Sequence, residues 1–322
     1  MVFRLHAGTL ILLALCVGPA LGMADEQSPA QRADALRHHG LDPVSSLESR
    51  VTQTPATVLK MFSEAGQHTP TAHTLTAVER RKLSTAFATL PPLHRRILGE
   101  RLRSVSFLDG MPNTALTSTV NPEEPYRLFD ITIRAAVVGE DVSVFLTQKE
   151  RTCFDTTGSS LSVSIETGQL DAIVYVLLHE ATHVVDSSMR LTPVARPGDQ
   201  PGVGAPASAF TDGIWSDRTI VALRYRDPLL ERVRFRAGGE VLAIDRAEAV
   251  YAALRRTPFV SLYGSSNWHD DVAESVTWYH LTERLKLPYR IVIRNAGQEI
   301  FAYEPMKSDI VRNRFDQMNR FY

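Results

Sequence analysis

Hydrophobic positions in the first third of the chain recur with the period of a helix. The segment AVERRKLSTAFATL follows Thr76-x-x-Glu79, which is a capping box, and a second helix is expected to start at Pro91-Pro92. Shorter helical stretches are predicted around ADALRHHG and PATVLKMFSEAG. In the helix AVERRKLSTAFATL, the expected inward face consists of Val78, Leu83, Phe87 and Leu90. The pattern therefore predicts residues 24–115 to be a mainly helical N-terminal region.

From residue 127 the hydrophobic positions alternate with polar ones, as they do in a half-buried strand. LFDITIRAAVV, VSVFLTQ and LSVSIETG each follow this period. Turn-forming residues at 139–141 and 156–158 separate the three segments. We predict that they are strands of one small mixed sheet.

The next segment, GQLDAIVYVLLHEATHVVDSSM, is apolar around much of its circumference and is predicted to be an interior helix with Thr167 as its N-cap. A Pro- and Gly-rich loop at 191–213 is expected to border a cleft. Helices are predicted around 217–235, around 244–256 and in the second half of SLYGSSNWHDDVAESVTWYHLTERLK, and a hairpin in YRIVIRN and EIFAYEP. Helices before, between and after a small sheet indicate the α+β class.

The first residues have the pattern of a secretory signal peptide. Arg4 and His6 precede the apolar run LILLALCVGPALG, which ends in small residues, so cleavage near residues 22–24 is expected. Residues 1–23 are therefore predicted to be a signal peptide, and the mature protein is predicted to be secreted or periplasmic. The alternative is a retained anchor, which is disfavoured because Gly and Pro interrupt a run that is short for a membrane span.

Charge and cysteine content exclude several classes of protein. Lys and Arg total 35 and Asp and Glu total 36 among 322 residues, so no net field attracts nucleic acid or anionic lipid. No nucleic-acid partner is expected, and membrane association is expected only through an uncleaved leader. Removal of the leader leaves Cys153 as the single cysteine, which excludes an internal disulfide. We interpret Cys153 as a small buried residue, and the alternative is a thiol near a metal.

The predicted interior helix carries the pattern His-Glu-x-x-His at residues 179–183. Residues four apart lie one above the other on a helix, so His179 and His183 present both imidazoles to one point, with Glu180 beside them. Two imidazole nitrogens can hold Zn²⁺, which lowers the pKa of water to about 7, and Glu180 would take the proton as general base. The alternative is a pair of hydrogen-bonded core histidines, which would leave buried charge uncompensated.

A catalytic zinc ion needs a third protein ligand. The extended pattern that ends in a third histidine fails, because its remaining positions fall on Asp186 and Met189. In WHDDVAES, Asp270 and Glu274 lie one helical turn apart, so one can coordinate zinc while the other holds the free N–H of a ligand histidine. Asp186 shares the metal-facing side of its helix and is interpreted as a partner of His183. Further candidates for the third ligand are Asp271, His269 and His280.

These segments resemble the gluzincin metallopeptidases, and within them the branch typified by the catalytic domain of anthrax lethal factor. That branch has a Tyr-Gly pair before a helix that bears the carboxylate ligand and ends in Ala-Glu. Here Tyr263-Gly264 precedes the helix with Asp270, which ends in Ala273-Glu274. The resemblance implies that Asp270 is the zinc ligand, that Glu274 supports the ligands and that Tyr263 supports the oxyanion. It covers residues 177–186 and 263–274, and the family normally has glutamate in the ligand position.

The resemblance further implies a zincin-like fold for residues 116–322, with a small sheet over the active-site helix. An edge strand, here residues 160–166, would pair with an extended substrate. The expected function is a secreted zinc-dependent metalloendopeptidase that acts on protein or peptide substrates. One alternative is a catalytically inactive binding or inhibitory protein on the same scaffold. Another is latency, in which Cys153 or residues 25–110 cover the metal.

Overall fold

The computed structural model describes residues 28–64, 70–120, 122, 124–193 and 208–322. The predicted leader, residues 1–23, lies outside the described residues, and so does most of the loop at 191–213. No helix in the described part of the chain combines the length and the apolar character that crossing a membrane requires.

The helices in the first third of the chain form where the period predicts them. They are α1 (Pro29–His38), α2 (Ala56–Glu64), α3 (Ala77–Thr89) and α4 (Pro92–Arg101). The capping box at the start of α3 is confirmed, because Thr76 and Glu79 exchange side-chain to backbone hydrogen bonds. One position of its predicted inward face is wrong: Val78 is 54% exposed, whereas Leu83, Phe87 and Leu90 are buried.

The strand content of the middle of the chain differs from the prediction. Strands β1 (Thr71–Ala72) and β2 (Leu102–Asp109) lie in the region expected to be helical, and they are followed by β3 (Ala115–Thr119) and β4 (Phe129–Arg134). These four strands form one sheet in the order β1-β2-β4-β3. Strand β2 is parallel to β4, and β3 is the antiparallel edge strand on the other side of β4.

The segment VSVFLTQ was predicted to be a strand and is instead the start of helix α5 (Val142–Arg151). Asp141 caps this helix by accepting hydrogen bonds from the backbone N–H groups of Ser143 and Val144. The hydrophobic residues of this segment fit the alternation of a strand as well as the spacing of a helix. The burial pattern is helical, because Val144 is 51% exposed while Val142, Phe145 and Leu146 are buried.

The predicted single sheet is also wrong, because the strand at 161–166 belongs elsewhere. After β5 (Phe154–Asp155), strand β6 (Leu161–Glu166) pairs with a C-terminal hairpin in a separate sheet. That hairpin, β10 (Arg290–Asn295) and β11 (Gln298–Tyr303), is confirmed. Two-stranded pairs join β5 to β9 (Leu242–Ala243) and β7 (Trp215–Asp217) to β8 (Ile220–Val221). Residues 217–235 therefore contain short strands and 3₁₀ turns in place of the predicted helices.

The remaining helices are α6 (Ala172–Met189), α7 (Ala247–Leu254), α8 (Trp268–Tyr279), α9 (Asp309–Arg312) and α10 (Phe315–Met318). Helix α6 is the interior helix, and it packs against α3, α4, α5, α8 and β3. Its N-cap is Asp171 and not the predicted Thr167, because the backbone of residues 170–172 is bonded to that of residues 140–142 before the helix begins.

The described residues form an α+β structure around one large hydrophobic cluster. That cluster includes side chains of α3, α4 and β2 together with those of α6 and α8. The predicted boundary at residue 115 therefore runs through a shared sheet, since β2 pairs with β4. Cys153 is buried, as the sequence predicts, and burial raises the pKa of its thiol.

Candidate metal centre

Helices α6 and α8 bring two imidazoles and one carboxylate together. His179 Nε2 lies 3.1 Å from His183 Nε2, and Asp270 Oδ1 lies 3.6 Å from the first nitrogen and 3.5 Å from the second. His179 and Asp270 are buried, and His183 is partly exposed. The three donor atoms thus form a nearly equilateral triangle, and His183 is its most exposed member.

The size of this triangle fits a zinc ion. A tetrahedral zinc ion with bonds of about 2.0–2.1 Å separates its ligand atoms by about 3.3–3.4 Å. The three measured separations deviate from that spacing by no more than about 0.3 Å, and one point lies about 2.0 Å from all three atoms. Two imidazoles and a carboxylate are also the donor set of a catalytic zinc site that keeps its fourth position open.

The first turn of α8 sets the position of Asp270. Asn267 is the N-cap, and its side-chain oxygen accepts hydrogen bonds from the backbone N–H groups of His269 and Asp270. The second carboxylate oxygen of Asp270 accepts hydrogen bonds from Ser266 Oγ (2.9 Å) and Asn267 Nδ2 (2.6 Å). Because these donors hold Oδ2, Oδ1 faces the imidazoles. Burial opposes ionisation, but the two histidines keep the pKa of Asp270 well below its usual range.

One turn later on α8, Glu274 fixes the orientation of the His179 ring. His179 Nδ1 donates a hydrogen bond to Glu274 Oε1 at 3.0 Å, which leaves Nε2 free for the triangle. Burial alone would lower the pKa of His179, but Asp270 and Glu274 outweigh it and raise this pKa to about 9. Burial would raise the pKa of Glu274, but His179 and the charge of Lys149 lower it to about 2.

Neutral donors complete the surroundings of Glu274. Ser261 Oγ donates to Oε2 at 2.6 Å, Trp278 Nε1 donates to the same oxygen at 3.3 Å, and the Tyr175 hydroxyl donates to Oε1. A fully buried carboxylate with this many donors stays ionised and immobile. Sequence reasoning missed these three residues. Trp278 had a local signal, since it lies four positions after Glu274 on α8, whereas Tyr175 and Ser261 had none.

Glu180 lies next to the triangle without belonging to it. Its carboxylate Oε2 accepts a hydrogen bond from Thr117 Oγ1 at 2.7 Å, and the residue is 9% exposed. Thr117 belongs to the edge strand β3, so Glu180 lies between the triangle and this strand. The sequence contained no signal for Thr117, because the two residues are 63 positions apart.

Tyr263 also lies beside the triangle. Its ring centroid is 5.6 Å from that of His179, and the Lys149 ammonium lies 3.4 Å from the centre of the tyrosine ring. Burial and the negative charges of Asp270, Glu180 and Glu274 raise the pKa of the Tyr263 hydroxyl well above its ordinary value. Tyr263 therefore keeps its proton at neutral pH and can donate it in a hydrogen bond.

Asp186 does not support His183, which corrects the sequence interpretation. Its carboxylate accepts hydrogen bonds from the backbone N–H and hydroxyl of Thr192 and from His269 Nδ1 at 2.8 Å. The helix ends at Met189, and the chain returns so that Thr192 reaches Asp186 first. His183 Nδ1 is buried and has no hydrogen-bond partner among the described residues.

The other candidate ligands bond outside the triangle. Asp271 forms a two-point ion pair with Arg314, at 2.7 and 3.0 Å, and accepts a hydrogen bond from Trp215. His269 is held by Asp186, and His280 Nδ1 bonds to the Tyr322 hydroxyl. Of the acidic side chains on α8, Asp270 is the one that the structure brings to both imidazoles.

The edge strand beside the centre is β3 and not the predicted segment 160–166. Strand β6 is the edge strand of the other sheet, in the order β11-β10-β6, but its edge away from β10 is covered by α5. The side chains of Thr147 and Arg151 bond there to the main chain of Ile165 and Val163. Strand β3 instead packs on α6 and has one side unpaired in the sheet order β1-β2-β4-β3. The sequence favoured β6 because it directly precedes α6, but β3, which pairs with β4, is the strand that packs on α6 and bonds to Glu180.

Comparison with known proteins gives no match: no family model, no curated protein and no solved structure matches the chain. Assignment of the site therefore depends on its own geometry.

Proposed function

We propose that this protein is a zinc-dependent metallopeptidase with a zincin-like fold. The observation that carries the proposal is the triangle of His179, His183 and Asp270 donor atoms, whose dimensions suit zinc, with Glu180 adjacent to it. Zinc bound there would polarise a peptide carbonyl and lower the pKa of water to about 7. Glu274, on the far side of His179, supports this function because it holds the ligand ring by its other nitrogen.

The chain's own groups have separate roles in this proposal. Glu180 takes a proton from the attacking water at its carboxylate and delivers it to the leaving amine. Thr117 donates to Oε2 and so orients the carboxylate. Tyr263, whose hydroxyl keeps its proton, donates a hydrogen bond to the oxyanion that develops on the carbonyl. Asp270 and Glu274 remain ionised, so their negative charges would offset the positive charge of the bound zinc ion.

The unpaired edge of β3 offers a place for an extended peptide. An added strand would bond to the main chain of Ala115–Thr119 and run past Glu180, which Thr117 links to this strand. In this proposal the substrate pairs with β3 and not with residues 160–166, which the sequence predicts as the substrate-binding strand. With the predicted leader, the proposal describes a secreted or periplasmic enzyme that acts on proteins or peptides.

Substitution of Glu180 by Gln tests the proposal directly. The amide keeps the size of the side chain but cannot take a proton, so we expect peptide hydrolysis to fall by at least about 10²-fold. Zinc content, measured by elemental analysis, should stay near one equivalent at this centre. The matched control is Glu248→Gln, the same change at an exposed helical position, which should leave both quantities unchanged.

Two results would contradict the proposal. Unchanged hydrolysis in Glu180→Gln would show that Glu180 is not the general base. A purified protein that holds no zinc at the triangle, and whose thermal stability does not respond to a chelator, would favour the binding or inhibitory scaffold.

A further inference from the structure

A second group of side chains with metal-binding chemistry lies at the end of α1. His38, His39 and Glu124 each offer a ligand atom, and these atoms lie within 4.8 Å of one another. None of the three belongs to the candidate metal centre or to its supporting network. We propose that they form a second site, which binds a divalent transition metal and fastens α1 to the segment before β4.

The spacing of two of the ligands already suits an ion. His39 Nε2 lies 3.3 Å from Glu124 Oε1 and 3.2 Å from Oε2. These distances equal the ligand separation of about 3.3 Å around a tetrahedral zinc ion. The His38 ring is edge-on to that of His39, with the two centroids 4.8 Å apart. His38 is exposed, so its ring can rotate toward an incoming ion with little steric resistance.

The fold brings these three residues together for a local reason. Helix α1 ends at His38, His39 is its C-cap, and Gly40 then reverses the chain with φ +61°. Ala35 and Leu36 of the same helix pack on Tyr126 and Leu128 in a small hydrophobic cluster separate from the main core. That packing sets the end of α1 against Glu124.

Burial differs among the ligands in a way that suits metal entry. The His39 side chain is 8% exposed and the Glu124 side chain 30% exposed, while His38 lies open to solvent. His39 and Glu124 are therefore in contact before an ion binds, and His38 turns toward the ion from the solvent side. Two imidazoles and one carboxylate select zinc, nickel or copper(II) over magnesium or calcium, which prefer all-oxygen sites.

A metal at this place would act as a cross-link. It would join positions 39 and 124, which are 85 residues apart, next to a small cluster in which four of the described residues are buried hydrophobic ones. An ion that binds the folded arrangement and not the open one stabilises the docking of α1 by mass action. The site is thus structural, and it requires no activity at the candidate metal centre.

Zinc titration of the full chain after chelator treatment, with zinc alone as the probe, tests this inference. We expect two equivalents in the unmodified protein and one in His39→Ala, and His38→Ala should weaken the second equivalent by at least tenfold. The matched control is His73→Ala. His73 also bonds to two carboxylates, but through opposite ring nitrogens to Asp109 and Glu79, so it cannot chelate one ion and two equivalents should remain.

A double variant separates this inference from the proposed function. His179→Ala with His183→Ala should keep one equivalent of zinc, and adding His39→Ala should abolish it. As a second readout, zinc should slow proteolysis within residues 28–41 of the double variant and should not do so in the triple variant. A single equivalent in the unmodified protein that His39→Ala leaves intact would overturn the second site, and so would equal losses in His39→Ala and His73→Ala.

Discussion

Helix α6 carries one pair of histidines, His179 and His183, and a second pair, His94 and His280, approaches it. Three of these four side chains are buried, yet His179 differs in charge from the second pair. His179, in the candidate metal centre, has carboxylates against both ring nitrogens, and these raise its pKa to about 9. His94 and His280 approach the same helix bundle, and no carboxylate of the described residues bonds to either of them. Burial lowers the pKa of His94 to about 3 and that of His280 to about 4.

The neutral pair is held by hydroxyl groups. His94 Nε2 donates to Thr182 Oγ1 at 2.9 Å, since that hydroxyl already donates its own proton to Leu178 O. His280 bonds to the Tyr322 hydroxyl. The comparison teaches that burial of an imidazole does not by itself make a metal or catalytic site. The carboxylates of α8 make the difference, because they compensate positive charge at a largely buried site.

The largest expected effect comes from removing the carboxylate that faces both imidazoles. In Asp270→Ala the triangle loses one corner, so zinc affinity should fall by more than the 10–100-fold typical of a lost supporting residue. Peptide hydrolysis should fall with it. Calorimetric zinc titration checks the prediction, with Asp309→Ala, at a position outside the centre, as the control. Zinc affinity unchanged at the centre would remove Asp270 from the ligand set.

A smaller effect is expected from Glu274→Gln, which removes the charge behind His179 but keeps the shape of the side chain. The amide can still accept a hydrogen bond from Nδ1, so the ring stays in place while its basicity falls. We expect zinc affinity to fall by about 10–100-fold. The pKa of His179 should also fall below about 9 in the metal-free protein, as followed by NMR titration. An unchanged titration would show that Asp270 alone sets the charge of this histidine.

A third prediction concerns stability and not zinc affinity: Glu150 is a buried carboxyl group that, like His94, has no ion-pair partner among the described residues. It accepts a hydrogen bond from the Tyr251 hydroxyl at 2.8 Å, and burial raises its pKa from 4.5 to about 7. A raised folded-state pKa contributes stability below pH 4.5 that is lost as the pH rises through about 7. The loss is about 3 kcal/mol, since one pKa unit corresponds to about 1.4 kcal/mol.

Glu150→Gln should therefore be more stable than the unmodified protein at pH 8 and close to it at pH 4.5. Urea denaturation at the two pH values measures the difference. Glu248→Gln, an exposed glutamate, should show no such dependence. A difference between Glu150→Gln and the unmodified protein that stays constant with pH would mean that the pKa of Glu150 is the same in the folded and unfolded states.

Local hydrogen bonds and short periods made parts of the fold predictable. The capping box of Thr76 and Glu79, the terminal hairpin and the helical spacing of His179 and His183 each depend on residues a few positions apart. The wrong strand prediction for VSVFLTQ shows where local patterns fail. VSVFLTQ satisfies both periods, and its choice of a helix depends on the cap at Asp141 and on which side chains the core receives.

The sequence by itself determined that two imidazoles and a glutamate share one helix, and that two carboxylates share another one turn apart, because helical geometry repeats every few residues. Only the tertiary structure decided which carboxylate meets the imidazoles, which strand lies beside Glu180 and which residue Asp186 holds. Those contacts join positions 60 to 100 residues apart, and their geometry depends on how sheets and helices pack, which no local pattern specifies.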